Sequence, residues 1–399
     1  MENRRVVVTG MGTISPIGHH ARAAWESMKA GKNGIGPITL FDTTNYKTKL
    51  AAEVKDFDPR EYLEVNDVLR TDRSVQFAAA AAQQAAEESG IVGTIDPERC
   101  AVLFGSGIGG IRTFEAEYSK LLEKGPRRVS PLFIPMLISN MASGMIAMRH
   151  DCRGTAMPAV TACASGSNAI GEAMRLIRHG YADAVITGGT EAAICPSAAA
   201  GFVNMQALST AEDPNAASLP FDRRRGGFVM GEGAAALVLE EYMHAKARGA
   251  KIYGEVCGYG STCDAYHMTA PHPQARGGAR AMQDAMKEAA YSEKDVVYIN
   301  AHGTGTPMND KVETLAIKKA LGEEAAKTIV EVLERFDESQ RSASASKGDL
   351  RETELRLMKE IDGVRLEIQK AKAETIKWVA GIITAQTVAI IAAIIALMK

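Results

Sequence analysis

The sequence predicts a layered α/β fold up to about Leu321, and three observations predict it. Short apolar runs alternate there with helical stretches, and glycines (37 in 399 residues) punctuate the ends of the runs. The runs are continuously apolar rather than alternating, as in central strands buried on both faces. Near Gly322 the character changes: glycine becomes scarce and dense charge of both signs replaces the strand pattern.

Taken in order, the expected strands are Val6–Thr9, Ala101–Phe104, Met157–Thr161, Ala184–Thr187, Ala234–Leu239 and Val296–Asn300. The expected helices are Ser74–Ser89, Ser167–His179, Gly277–Ala290 and Asp310–Leu321. Beyond these, Ser339–Gly348 reads as a small polar linker. Leu357, Ile361, Val364, Ile368 and Ala371 then recur at alternating four- and three-residue steps, which predicts a coiled-coil seam within 326–377. Residues 378–398 carry no charge, and about 20 apolar residues suffice to span a bilayer as a helix. Lys370, Lys372 and Lys377 precede this span and only Lys399 follows it, a bias that places the main body on the cytoplasmic face.

Composition excludes several classes. A net charge of −2 gives no electrostatic footprint for nucleic acid. The six cysteines form neither a C-x-x-C pair nor a Cys/His metal spacing, so no metal is expected and the compartment is expected to be the reducing cytoplasm. The chain opens on a strand-like RRVVVTG, and no secretory signal is expected.

Two clusters carry chemistry. A helix N-terminus stabilises a thiolate with its free N–H groups, and Cys163 lies where a strand meets a helix through the small residues of TACASGS. Cys163 is therefore the expected nucleophile. Cys100, Cys152, Cys195, Cys257 and Cys263 are expected to be buried structural cysteines. In Asn300–Asp310 (NAHGTGTPMND, with Glu313 following), His302 enters a glycine-rich turn from which an imidazole can hydrogen-bond a thioester carbonyl as charge develops. The hydroxyls of Thr304 and Thr306 suit an amide-bearing arm. The run Gly105–Gly110 (GSGIGG) mimics a dinucleotide fingerprint but lacks the acidic residue expected about 20 positions on.

With these motifs, VVVTGMGTISPIG near the start, GPRRVSP at Gly125–Pro131, GFVNMQALST at Gly201–Thr210, PFDRRRGGFVMGEG and DAYHMTAP, the chain resembles the β-ketoacyl-acyl-carrier-protein synthases of the type II elongating class from Arg4 to about Ala325. The resemblance implies a thiolase-like fold of two pseudo-repeated halves in five layers, working as a homodimer. Here the halves are 1–253 and an incomplete 254–325. It implies that Cys163 takes an acyl group from acyl carrier protein and that His302 stabilises the enolate from malonyl decarboxylation. Thr304 and Thr306 would contact the phosphopantetheine arm of the carrier-bound substrate, with no separate cofactor. Ile108 and Phe202 match acyl-pocket positions, Phe133 the segment reaching the partner's pocket, and Arg127 and Arg128 a basic patch for the acidic carrier.

The family's second histidine, on a T-K-x-x-x-G-H segment some three to four dozen residues after the first, has no counterpart, since His302 is the last of eight histidines. The tail instead resembles bacterial coiled-coil proteins ending in one membrane helix. The expectation is an elongating synthase with impaired condensation. The alternative is a membrane-anchored scaffold with a degenerate, carrier-binding synthase module.

Overall fold

The computed structural model describes residues 4–291, 295 and 298–322. The chain divides into two compact units between Lys327 and Thr328, and every described residue lies in the first. The expected linker and coiled coil at 326–377 and the apolar span at 378–398 lie outside the described residues. Among the described residues, no helix is long and apolar enough to cross a membrane.

In chain order the strands are β1 (Val6–Ile14), β2 (Gly36–Pro37), β3 (Leu50–Ala52), β4 (Cys100–Gly105), β5 (Ala156–Ala159), β6 (Ala184–Glu191), β7 (Met230–Gly231), β8 (Gly233–Glu241) and β9 (Gly254–Glu255). Six form one sheet in the order β5-β4-β6-β8-β1-β9, and β2-β3-β7 form a small second sheet. The β5, β4 and β6 strands run parallel, whereas β8 is antiparallel to both β6 and β1. Residues 1–253 thus supply all of the main sheet except β9.

Because successive side chains alternate across a strand, each strand feeds two cores. Cys100, Val102 and Phe104 of β4 join a core with Phe77, Ala81 and Ala85 of the helix Arg73–Ser89 and Ile146 of the helix Met141–His150. Ala101 and Leu103 face the opposite core, built on Ala169, Ala173, Met174 and Ile177 of the helix Ser165–Arg178. The six residues of β4 are all buried, which explains its unbroken apolar run. The helix Arg73–Ser89 presents alanines to β1, and β1 answers with glycines. A Cβ on Gly10 or Gly12 would collide with the carbonyl oxygen of Ala85 or Ala81.

One buried ion pair ties this layer to the small sheet. The fully buried carboxylate of Glu232 accepts from Arg73 through Nη2 at 2.8 Å and Nε at 3.0 Å, and from the Val54 amide at 3.0 Å. Removing one member strands the other in the interior. Glu232→Ala is expected to cost about 3–5 kcal/mol of unfolding free energy, read from urea midpoints.

The region after residue 253 departs from expectation. The helices Arg276–Glu288 and Pro307–Leu321 form and pack on each other through Ala275, Ala279 and Ala316. Of the expected strand Val296–Asn300 only Tyr298–Asn300 is described; it has no strand structure, and Tyr298 is 78% exposed. A strand needs a neighbour to pair its N–H and C=O groups. Among the described residues, 254–322 contributes only Gly254–Glu255 to any sheet.

Two cysteines also depart from expectation. Cys100, Cys152 and Cys195 are buried as expected, with the Cys100 and Cys152 sulfurs 3.0 Å apart. Cys263 is exposed and Cys257 half-buried, because both lie on irregular surface backbone between β9 and the helix Arg276–Glu288.

Candidate active site

The backbone at Cys163 is a forced turn. After β5 the chain enters a single 3₁₀ turn, Ala162–Ala164, which runs directly into the helix Ser165–Arg178. Ala162 has φ of +52°, the left-handed region that costs a side-chain-bearing residue conformational energy. Ser165 holds the turn closed: its hydroxyl accepts from the Thr161 amide at 2.9 Å and donates to the Ala162 carbonyl at 2.7 Å. Cys163 is thereby exposed at the head of a helix.

The 300s turn brings His302 to it. The His302 side chain hydrogen-bonds the Cys163 thiol, the main reason that the thiol pKa lies below the usual cysteine value. Burial opposes this, as does the negative charge of Glu191. The His302 pKa is raised reciprocally, by Cys163 first, with Glu313 and Asp310 adding attraction. Both shifts favour a thiolate–imidazolium pair.

Two carboxylates of the following helix hold this turn. Glu313 accepts from the His302 amide at 2.6 Å and the Gly303 amide at 2.8 Å. Asp310, 2% exposed, accepts from the Gly305 amide at 3.1 Å and the Phe221 amide at 2.6 Å. The Thr304 and Thr306 hydroxyls lie 2.9 Å from each other, and Thr306 also accepts from the Asn309 amide to cap the helix Pro307–Leu321. In the sequence Asp310 and Glu313 were visible only as members of a polar cluster; their work is done through backbone amides, which no side-chain pattern reports.

The Gly105–Gly110 run follows β4 and carries Ile108, 37% exposed. The Gly110 amide donates to the Leu137 carbonyl at 3.0 Å, which ties this run to the helix Phe133–Leu137. Phe133 is half-buried there, its ring 6.2 Å from that of Phe114. Phe202 sits in another apolar cluster, edge-on to Phe228 at 5.4 Å and sharing that cluster with Ile111 just beyond the glycine run. Arg127 and Arg128 occupy an exposed turn, Pro126–Arg128. The structure thus joins Cys163 to His302 and Ile108 to the Phe133 segment, while Phe202 and the arginine pair stand on separate elements. Glu191, next to Cys163 and the glycine run, belongs to no motif in the sequence. Among the described residues, no group of three or more His, Cys, Asp or Glu side chains is arranged to hold a metal ion.

A thiol beside an imidazole on a strand-to-helix elbow, in a sheet whose parallel strands are flanked by helices, is an arrangement able to accept an acyl group. Comparison with known proteins agrees. Residues 3–245 match the family "Beta-ketoacyl synthase, N-terminal domain" and residues 253–333 match "Beta-ketoacyl synthase, C-terminal domain". The 3-oxoacyl-[acyl-carrier-protein] synthase 2 of Synechocystis sp. is 51% identical over 327 residues, 82% of this chain and 79% of that protein. A crystal structure of a β-ketoacyl synthase from Burkholderia phymatum superposes with a TM-score of 0.74 at 34% identity, covering 80% of this chain and 79% of that one. A type II polyketide ketosynthase solved with its acyl-carrier protein superposes with a TM-score of 0.72 at 34% identity, covering 81% and 79%. The chain belongs to the β-ketoacyl synthase family and is an acyltransferase of the β-ketoacyl-acyl-carrier-protein synthase class.

Proposed function

We propose that this protein is a 3-oxoacyl-acyl-carrier-protein synthase of fatty-acid chain elongation whose condensation step is slower than its acylation step. The observation that carries this reading is the His302 imidazole set beside Cys163, where the turn Ala162–Ala164 enters the helix Ser165–Arg178. The Cys163 thiolate attacks the carbonyl carbon of an acyl thioester, and the carrier's pantetheine thiolate leaves, taking a proton from the His302 imidazolium. A malonyl thioester then loses carbon dioxide. The resulting enolate carbon attacks the acyl carbonyl on Cys163 and the thiolate leaves again, giving a 3-oxoacyl thioester two carbons longer. His302 donates a hydrogen bond to the malonyl thioester oxygen as it gains charge. In this reading the His302 imidazole serves both half-reactions. Thr304 and Thr306 contact the pantetheine arm, and Ile108, Phe202 and Phe133 line the acyl pocket.

Intact-mass spectrometry with acyl carrier protein and then malonyl carrier protein tests the reading. The expected result is rapid acylation of Cys163 followed by slow release of the extended chain. Absence of any acyl adduct overturns it, and condensation as fast as acylation overturns the impairment.

Arg127 and Arg128 give the carrier's acidic surface a basic landing site. Reversing both to glutamate is expected to raise KM for carrier-bound substrate about ten-fold while leaving a short pantetheine thioester unaffected. The partner in the functional unit is a second copy of this chain, joined along β5. That strand is a sheet edge, and Met157 within it and Val160 just after it are 46% and 52% exposed. Sedimentation at twice the 42.6 kDa chain mass is expected; a monomer at micromolar concentration would remove the dimer from the proposal.

A further inference from the structure

Glu191 ends β6 with its side chain turned into the protein beside the nucleophile. Its carboxylate is committed to one short segment. Oε2 accepts from the Gly107 amide at 2.9 Å and the Ile108 amide at 3.1 Å, and Oε1 lies 3.4 Å from the Ser106 hydroxyl. The Ser106 oxygen in turn accepts from the Gly109 amide at 3.0 Å. Every residue from Ser106 to Gly109 is therefore held by this carboxylate, directly or through one hydroxyl. Two successive backbone amides pointing at one point form a concavity suited to an anion. Here the protein fills it with its own.

The arrangement leaves no slack. A Cβ on Gly107 would lie 3.1 Å from Glu191 Oε2 and 3.5 Å from the carbonyl oxygen of Ala162. The glycine thus fits between the carboxylate and the turn that carries Cys163. Burial raises the Glu191 pKa, the neutral donors of the Ser106–Gly109 turn working against it, and its negative charge opposes ionisation of Cys163. Nucleophile activation gains nothing from a carboxylate at this position. Its hydrogen bonds go mainly to the turn bearing Ile108, with the Ala192 amide the one addition.

We propose that Glu191 is a positioning residue for acyl-chain selection: it clamps the Ser106–Gly109 turn and so fixes where Ile108 meets the chain on Cys163. The proposal rests on the reading of Ile108 as an acyl-pocket residue. Glutamine at 191 can keep one oxygen on the Gly107 and Ile108 amides and offer its amide to Ser106, so the clamp survives without the charge. Alanine removes the clamp. Aspartate keeps the charge but is one methylene too short to reach both amides.

The test is the rate of Cys163 acylation by short-, medium- and long-chain acyl thioesters, followed by intact mass, alongside the pH profile of iodoacetamide alkylation. Glu191→Ala and Glu191→Asp are expected to change the long-to-short rate ratio by about ten-fold or more, the range over which a pocket discriminates single methylenes. Glu191→Gln is expected to keep the ratio while moving the alkylation midpoint to lower pH. An unchanged ratio in Glu191→Asp, folded as judged by its melting temperature, overturns the proposal even if Glu191→Ala fails to fold. Ile108→Ala separates the two levels. If it leaves the ratio unchanged, the pocket reading itself fails; if it shifts the ratio and Glu191→Asp does not, only the clamp is wrong.

Discussion

Cys163→Ser is expected to yield no acyl adduct by intact mass and to lower turnover about 10⁴-fold or more, the scale seen when a covalent nucleophile is lost. A serine hydroxyl ionises far less readily than a thiol, and a hydrogen bond from His302 cannot make up the difference. The substitution exchanges sulfur for oxygen at an exposed position, so stability is expected to hold. A correctly folded Cys163→Ser protein retaining a tenth of its turnover would remove Cys163 from the mechanism. None of the other five cysteines adjoins an imidazole in the way Cys163 does, so the adduct is not expected to move elsewhere.

His302→Ala is expected to act on both half-reactions. Its hydrogen bond is the largest influence holding the Cys163 pKa down, so its loss lets that pKa rise. Below the thiol pKa, the thiolate fraction falls ten-fold for each unit of that rise. The alkylation profile is therefore expected to shift to higher pH, with a slower rate at pH 7. Condensation is expected to fall further, about 10²–10³-fold, because the same side chain donates to the developing oxyanion. An unchanged alkylation midpoint would mean that the imidazole does not touch the thiol in solution. His302→Asn, which keeps a donor but no cation, is expected to recover part of the condensation rate and part of the shift.

The parts of this molecule legible in its sequence are those where local chemistry and tertiary structure agree. Val6–Thr9, Ala101–Phe104, Ala184–Thr187 and Ala234–Leu239 read as strands because they are almost wholly apolar, with no charged residue, and each lies within an observed strand. Helix bounds such as Arg73–Ser89 follow caps written into the chain, Asp72 at one end and Gly90 in the left-handed region at the other. The described end of Val296–Asn300 misled because strand propensity is realised only against a partner. Cys163 and His302 were legible through residue type and the small residues around them. Glu191 was not: it works on main-chain amides more than 80 residues away, which carry no side-chain signature. Asp310 and Glu313 were half-visible for the same reason.

The pairing of β1 with β8 sets a timetable for synthesis. Val6 lies opposite Glu241, and the other neighbour of β1 is the still later β9. At about 5–20 residues per second, a ribosome that has finished β1 needs on the order of ten seconds or more to deliver its first strand partner. During that interval β1, whose Val6, Val7 and Ile14 are buried in the finished fold, has both backbone edges bare. The helix Arg73–Ser89, whose alanines dock on Gly10 and Gly12, emerges much sooner and is the first cover available to them. Its early formation therefore shields the nascent chain from aggregation before the sheet can exist.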